Sequence, residues 1–224
     1  MSKLTKEFIQ TGAYRCALDN VELHPLWSQA QLDASLQATL AEQPVNNEIW
    51  LFAYGSLLWN PLLDFAESSR ATLHDWHRSF CIHLVLSRAS VENPGRMLAL
   101  EPGGRTEGVA YRLRPESVDD DLAVIWAREM IGGVYVPTWT EVILDSGRKV
   151  KAIAFVADSA HPLYEPDSSL RAIVGPIQSA TGPIGDNAAY VHMLHASLAQ
   201  HGLEDAYITD LVTALLPKLP CQTT

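Results

Sequence analysis

Hydrophobic and polar positions divide the chain into stretches of different texture. Within residues 1–47 one segment is periodic: in SQAQLDASLQATLAEQ, Leu32, Leu36 and Leu40 recur every four residues on one helical face. Ser28 stands at the N-cap position and Pro44 closes the segment. The pattern predicts a helical extension packed onto the main domain, or else a helix for a partner, and indicates no chemistry. From Ile49 the texture changes. IWLFAY is short, aromatic and apolar throughout and stops at Gly55-Ser56, which predicts a strand running into a turn. Further strands are predicted at RSFCIHLVL, at MLALEP and EGVAYRL separated by a Gly103-Gly104 turn, and at YVPTWTEVIL and KVKAIAFVA joined by DSGR. Beyond Leu163 the pattern turns helical in SLRAIVGPIQSA, DNAAYVHMLHASLAQHG and EDAYITDLVTALLPKL. The expectation is an α+β fold in residues 48–224, a mostly antiparallel sheet with packed helices.

One helix interrupts the predicted sheet. Pro115 at its first position, Glu116, Asp119, Asp120 and Asp121 in its first turns, and Gly132-Gly133 at its end suit its boundaries. Its apolar stripe runs Val118, Leu122, Ile125, Trp126 and then Glu129. A carboxylate on that face is partly desolvated, and in the last turn it meets the negative end of the helix dipole. Both effects favour the protonated form and raise the pKa, the direction needed by a general base working near neutrality. The structural alternative is an ion pair with a distant arginine such as Arg78 or Arg96, or a side chain that reaches solvent.

Tyr54-Gly55-Ser56-Leu57 puts a glycine and a small hydroxyl residue at a strand end, where successive N–H groups can face an anion or a developing oxyanion. A plain structural turn is the other reading. A nucleophilic serine is disfavoured, because G-x-S-x-G is absent and Leu58 stands two residues after Ser56.

Composition narrows the function classes. The chain has 224 residues, 47% hydrophobic and 19% charged, the balance of an ordinary globular protein. Its formal charge of −10 repels phosphate backbones and anionic lipid, and no basic cluster offsets it, so neither nucleic acid nor membrane is expected as a partner. Cys16, Cys81 and Cys221 are widely spaced with no C-x-x-C pair, which suggests neither a disulfide framework nor a thiolate zinc site. With no signal-peptide run and no apolar stretch near the roughly 20 residues of a spanning helix, a cytoplasmic protein is expected. His74 and His77, and His192 and His195, are three apart. The first pair falls in a strand-like region where that spacing separates the side chains, and H-E-x-x-H is absent, so no metal site is assigned.

Three ordered motifs then resemble one family. Tyr54-Gly55-Ser56-Leu57, the run Arg128-Glu129-Met130-Ile131-Gly132-Gly133-Val134-Tyr135, and Gly182-Pro183-Ile184-Gly185-Asp186-Asn187-Ala188-Ala189-Tyr190 are similar to the ChaC family of γ-glutamylcyclotransferases. Trp76-His77-Arg78-Ser79-Phe80, Pro94-Gly95-Arg96 and Glu107-Gly108-Val109-Ala110-Tyr111-Arg112-Leu113 extend the resemblance over roughly residues 49 to 215. Met130-Ile131 before the glycines is closer to the family's bacterial branch than to the eukaryotic Arg-Glu-Lys-Gly-Gly-Tyr run.

The resemblance implies a small mixed fold with a barrel-like sheet and a lyase that cuts glutathione into 5-oxoproline and cysteinylglycine without metal or organic cofactor. It implies Glu129 as the catalytic carboxylate, Tyr54, Gly55, Ser56 and Leu57 as the substrate loop, and Tyr190 as a contact to the γ-glutamyl group. From the residues alone, Tyr190 can equally be a core tyrosine. Activity on other γ-glutamyl amino acids or amines, and a non-catalytic anion-binding module, stay open as alternatives.

Overall fold

The computed structural model describes residues 4–18, 25–44 and 48–216, so Cys221 and the last residues of the final predicted helix lie outside it. Helices α1 (Lys6–Gln10), α2 (Ala13–Leu18) and α3 (Gln29–Ala41) precede the sheet. In α3 the N-cap is completed on both sides: Ser28 Oγ accepts from the Gln31 N–H, and Gln31 Oε1 accepts from the Ser28 N–H. Leu32 is buried in the main core, while Trp126 Nε1 donates to Ser35 Oγ and Trp139 Nε1 to the Thr39 carbonyl. Helices α1 and α2 were not foreseen, since five and six residues are too few to show a stripe. Helices this short depend on packing. Ile9, Tyr14 and Leu18 supply it by clustering with Val124 and Ile131.

Strands β1 (Trp50–Ala53), β2 (Phe65–Leu84), β3 (Gly95–Leu113), β4 (Tyr135–Leu144) and β5 (Lys149–Ala157) form a closed barrel in the order β1-β3-β2-β4-β5. Neighbours pair antiparallel except where β5 returns to β1, with Trp50 opposite Ala152 and Leu51 opposite Ile153. Every residue of β1 is fully buried, which is why its sequence is apolar without alternation.

Two expectations about the sheet need correction. MLALEP and EGVAYRL are one strand, not a hairpin. Gly103 (φ 107°) and Gly104 (φ 69°) bend β3 opposite a register shift at His74/Trp76, where Asp75 is also left-handed (φ 65°), and pairing resumes on both sides. The partner β2 begins at Phe65, well before Arg78. That half shows mostly exposed residues, so no apolar run announced it.

Helix α4 (Val118–Glu129) begins three residues after Pro115, so the proline precedes the helix instead of opening it. It ends at Glu129, and the Gly133 N–H closes the following turn on the Met130 carbonyl at 2.9 Å. Leu122, Ile125 and Trp126 are buried, with the Trp126 and Phe155 rings 5.4 Å apart edge to face. Asp121 does more than oppose the helix dipole. It is buried, takes Lys6 Nζ at 2.7 Å, and accepts from the Asp64 N–H and Ser117 Oγ, which ties α1 to the start of α4.

The remaining elements are α5 (Leu170–Ser179), the two-residue strands β6 (Thr181–Gly182) and β7 (Gly185–Asp186), α6 (Asn187–Gln200) and α7 (Ala206–Leu215). Asn187 is fully buried. Its Oδ1 accepts from the Arg96 N–H at 2.8 Å and its Nδ2 donates to the Arg96 carbonyl at 3.0 Å, fastening α6 to the start of β3. A side chain at Gly95 would run into that Asn187 amide, so the Pro94-Gly95-Arg96 and Asn187 motif pieces are two halves of one joint. Among the described residues no helix is long and apolar enough to cross a membrane.

Candidate active site

The turn after β1 is held from below. Arg78, almost fully buried, donates through Nε to the Tyr54 carbonyl (2.8 Å) and through Nη2 to the Glu107 carbonyl (2.6 Å). Its Nη1 pairs with Asp205 Oδ2 at 2.8 Å. Tyr54 is buried with its hydroxyl donating to the Phe155 carbonyl at 2.5 Å, so it offers the site a wall and not a free phenol. Ser56–Leu58 then form a single 3₁₀ turn, with the Leu58 N–H on the Gly55 carbonyl at 2.9 Å. The N–H groups that open such a turn have no acceptor within it and are available to an anion.

Glu129 ends α4 beside this turn. Its side chain is 15% exposed and Oε1 is buried without an aligned hydrogen-bond donor. Arg128 Nε lies 3.0 Å from that oxygen, close enough to attract it but not oriented to donate. Neither Arg78 nor Arg96 takes the carboxylate: Arg78 holds Asp205, and Arg96 pairs with Glu165 at 3.4 Å. Burial raises the Glu129 pKa, and the charge of Arg128 offsets part of the rise.

Arg128 is the residue the helical wheel hid. Its own position is off the stripe, yet its long side chain wraps to the turn, with Nη2 donating to Ser56 Oγ and Nη1 to the Asn60 carbonyl, each at 2.6 Å. With its lone pair engaged, the Ser56 hydroxyl keeps a proton to donate. A guanidinium cannot serve as a base, so this partner argues against Ser56 as a nucleophile.

Tyr190, in the first turns of α6, stands over the turn. Its hydroxyl lies 3.1 Å from where a Cβ at Gly55 would be, so the absent side chain lets the phenol approach. The ring packs edge-on against Trp59 (5.3 Å) and Phe80 (6.3 Å). Tyr190 is thus both packed and at the turn, which joins two readings the sequence left apart.

A cavity of about 500 Å³ is lined by Tyr54, Gly55, Ser56, Leu57, Glu129 and Tyr190 together. Phe8, Tyr14 and Leu18 of the N-terminal helices line it as well, a contribution no pattern in residues 1–47 indicated. Burial pushes the phenols of Tyr54, Tyr135 and Tyr190 well up, and Tyr14 to about 12, so at neutral pH they are protonated donors. His83 also lines the cavity, with Nδ1 3.7 Å from Glu165. Cys81 is buried, its thiol pushed up to about 12 first by desolvation. His74 and His77 are exposed on β2, and no group of three or more metal-ligating side chains occurs among the described residues.

The sequence model of the ChaC-like protein family matches residues 49–217. The chain belongs to the ChaC family. Among this ChaC protein's relatives, the glutathione-specific γ-glutamylcyclotransferase of Escherichia coli K12 is 45% identical over 212 residues, 95% of this chain and 92% of that one. The human glutathione-specific γ-glutamylcyclotransferase 1 is 30% identical over 77% of this chain and 81% of its own. A crystal structure of the γ-glutamyl cyclotransferase specific to glutathione from yeast superposes with a TM-score of 0.69 at 22% identity, over 76% of this chain and 96% of that one. The last likeness shows the barrel fold with its packed helices.

Proposed function

We propose that this ChaC protein closes the γ-glutamyl group of glutathione into 5-oxoproline and releases cysteinylglycine, with Glu129 as the acid-base group. The observation that carries the reading is one juxtaposition: a buried, proton-seeking carboxylate shares a cavity with an anion-ready turn and a neutral phenol. The names of its relatives point to the same reaction.

The substrate brings its own nucleophile. Its α-amine attacks the γ-carbonyl carbon to form a five-membered ring, and the amide C–N bond to cysteine breaks. Glu129 takes one proton from the ammonium and gives it to the departing nitrogen. The second proton that the ring nitrogen sheds after attack passes through the same carboxylate to the new amine of cysteinylglycine, so protons and electron pairs balance between substrate and one carboxylate. Holding the glutamyl arm folded contributes through positioning, which for well-aligned groups reaches effective molarities on the order of 10⁵ M. The N–H groups at Gly55–Leu57, the Ser56 hydroxyl and the Tyr190 hydroxyl are the donors for the α-carboxylate and the developing oxyanion.

A pure binder of an anionic glutamyl arm would gain nothing from a buried negative charge beside the ligand, which disfavours the non-catalytic reading. Residues 1–47 we read as an N-terminal extension, of which residues 4–18 complete the cavity wall, and a reducing, cytoplasmic setting suits a glutathione-degrading enzyme. The test is 5-oxoproline release by the purified protein from glutathione and from γ-glutamyl-alanine. Release from glutathione with weak activity on the dipeptide is expected; release from the dipeptide alone would move the substrate class, and release from neither would refute the reaction.

A further inference from the structure

The cavity contains a cation that the reaction above does not use. Arg88 lines it from the loop between β2 and β3. Arg78, Arg96 and Arg128 each hold a carboxylate, whereas Arg88 forms no ion pair among the described residues. Its contacts are weak or partial: Nη1 donates to the Asp186 carbonyl at 3.1 Å, Nη2 lies 3.9 Å from Met193 Sδ, and Cζ stands 6.0 Å from the Tyr190 ring centroid. A guanidinium has five N–H donors, so most of its capacity stays open.

The loop is built to aim it. Ser87, the preceding residue, is left-handed (φ 58°), a conformation unfavourable for a residue with a Cβ and therefore imposed by its surroundings. Those surroundings are the Gly-Pro-x-Gly motif. The Ile184 N–H donates to the Ser87 carbonyl at 3.0 Å. A Cβ on Gly182 would lie 2.4 Å from the Ser87 oxygen and 2.6 Å from the Ala89 nitrogen, and one on Gly185 would lie 3.0 Å from Arg88 Nη1. Both glycines thus clear room for this loop, the second for the guanidinium itself.

We propose that Arg88 binds the glycine carboxylate of glutathione and so selects for a carboxylate two residues beyond the γ-glutamyl carbonyl. The inference rests on the glutathione reading. The turn, Ser56 and Tyr190 account for the glutamyl end, but the other end carries a second carboxylate that loses water on entering an apolar cavity and needs a charged donor. The spacing fits. The Tyr190 hydroxyl stands at Gly55 and Arg88 Cζ lies 6.0 Å from the centre of the same ring, a separation comparable with the roughly 7 Å that an extended Cys-Gly unit spans.

The test is kcat/KM for 5-oxoproline release from glutathione and from its glycine monoethyl ester, for wild type, Arg88→Ala and Arg88→Lys. The wild type should prefer the free acid by roughly 10- to 100-fold, the range for a hydrogen bond to a charged group. Arg88→Ala should lose that preference through a drop on the acid alone, and Arg88→Lys should fall between. The acid-ester comparison within one protein separates binding from any general damage to the variant. Equal turnover of acid and ester by the wild type would remove this role and leave the reaction standing. An equal loss on both substrates in Arg88→Ala would likewise overturn it and place Arg88 elsewhere. No 5-oxoproline from either substrate with the wild type would take both readings down together.

Discussion

Arg128 and Glu129 are consecutive residues whose side chains meet, with Nε of one 3.0 Å from Oε1 of the other. The same guanidinium grips Ser56 and Asn60. One arginine therefore holds the carboxylate against the turn and offsets part of the rise in its pKa that burial causes.

The stability of a Glu129→Gln variant follows from the sign of the shift. Burial makes the folded-state pKa higher than the ordinary 4.5, so folding takes up a proton between those two values. Stability falls as pH rises through that window, and above it the deficit is complete. The glutamine carries no charge to bury. Thermal or urea denaturation at neutral pH should find the variant as stable as the wild type or more so, with the difference shrinking below pH 4.5.

Activity should show the same carboxylate from the other side. A base must be ionised, so kcat/KM should fall on the acid limb at a pH above the ordinary carboxylate value. Arg128 lowers that pKa. Replacing it by alanine should move the acid limb to higher pH, besides reducing the rate through a loosened turn. An unmoved limb in the pH profile would separate Glu129 from that limb.

Tyr190→Phe removes the hydroxyl at Gly55 and keeps the ring between Trp59 and Phe80. We expect kcat/KM on glutathione to drop about 10-fold or more, with unfolding free energy changed by less than about 1.5 kcal/mol, the value of a typical hydrogen bond. Parallel kinetics and denaturation check both halves.

Lys6→Ala strips the buried Asp121 of its cation. Lys6 is itself about a third exposed, so the cost should stay at about 1–3 kcal/mol, below that of a fully buried pair. The more telling readout is local: protease cleavage within residues 4–18 should rise, and KM for glutathione should rise with it, because Phe8, Tyr14 and Leu18 line the cavity.

Glu129 was legible in the sequence because a helical stripe is a local property, and a carboxylate on it breaks the pattern visibly. The barrel strands were legible where they are buried, as in β1, and not where one face is wet, as in the first half of β2. Arg88 was not legible. It sits in a polar loop without periodicity, and its direction is imposed by Gly182 and Gly185, nearly a hundred residues away. Arg128 escaped for another reason, since a wheel places Cα atoms while a long side chain chooses its own partner.

The most direct measurement is the rate of 5-oxoproline formation from glutathione by purified Glu129→Gln beside the wild type, with circular dichroism confirming that both are folded. Acid-base catalysis by this carboxylate predicts a loss of about 10²- to 10⁴-fold. A folded variant that turns over glutathione at close to the wild-type rate would contradict it.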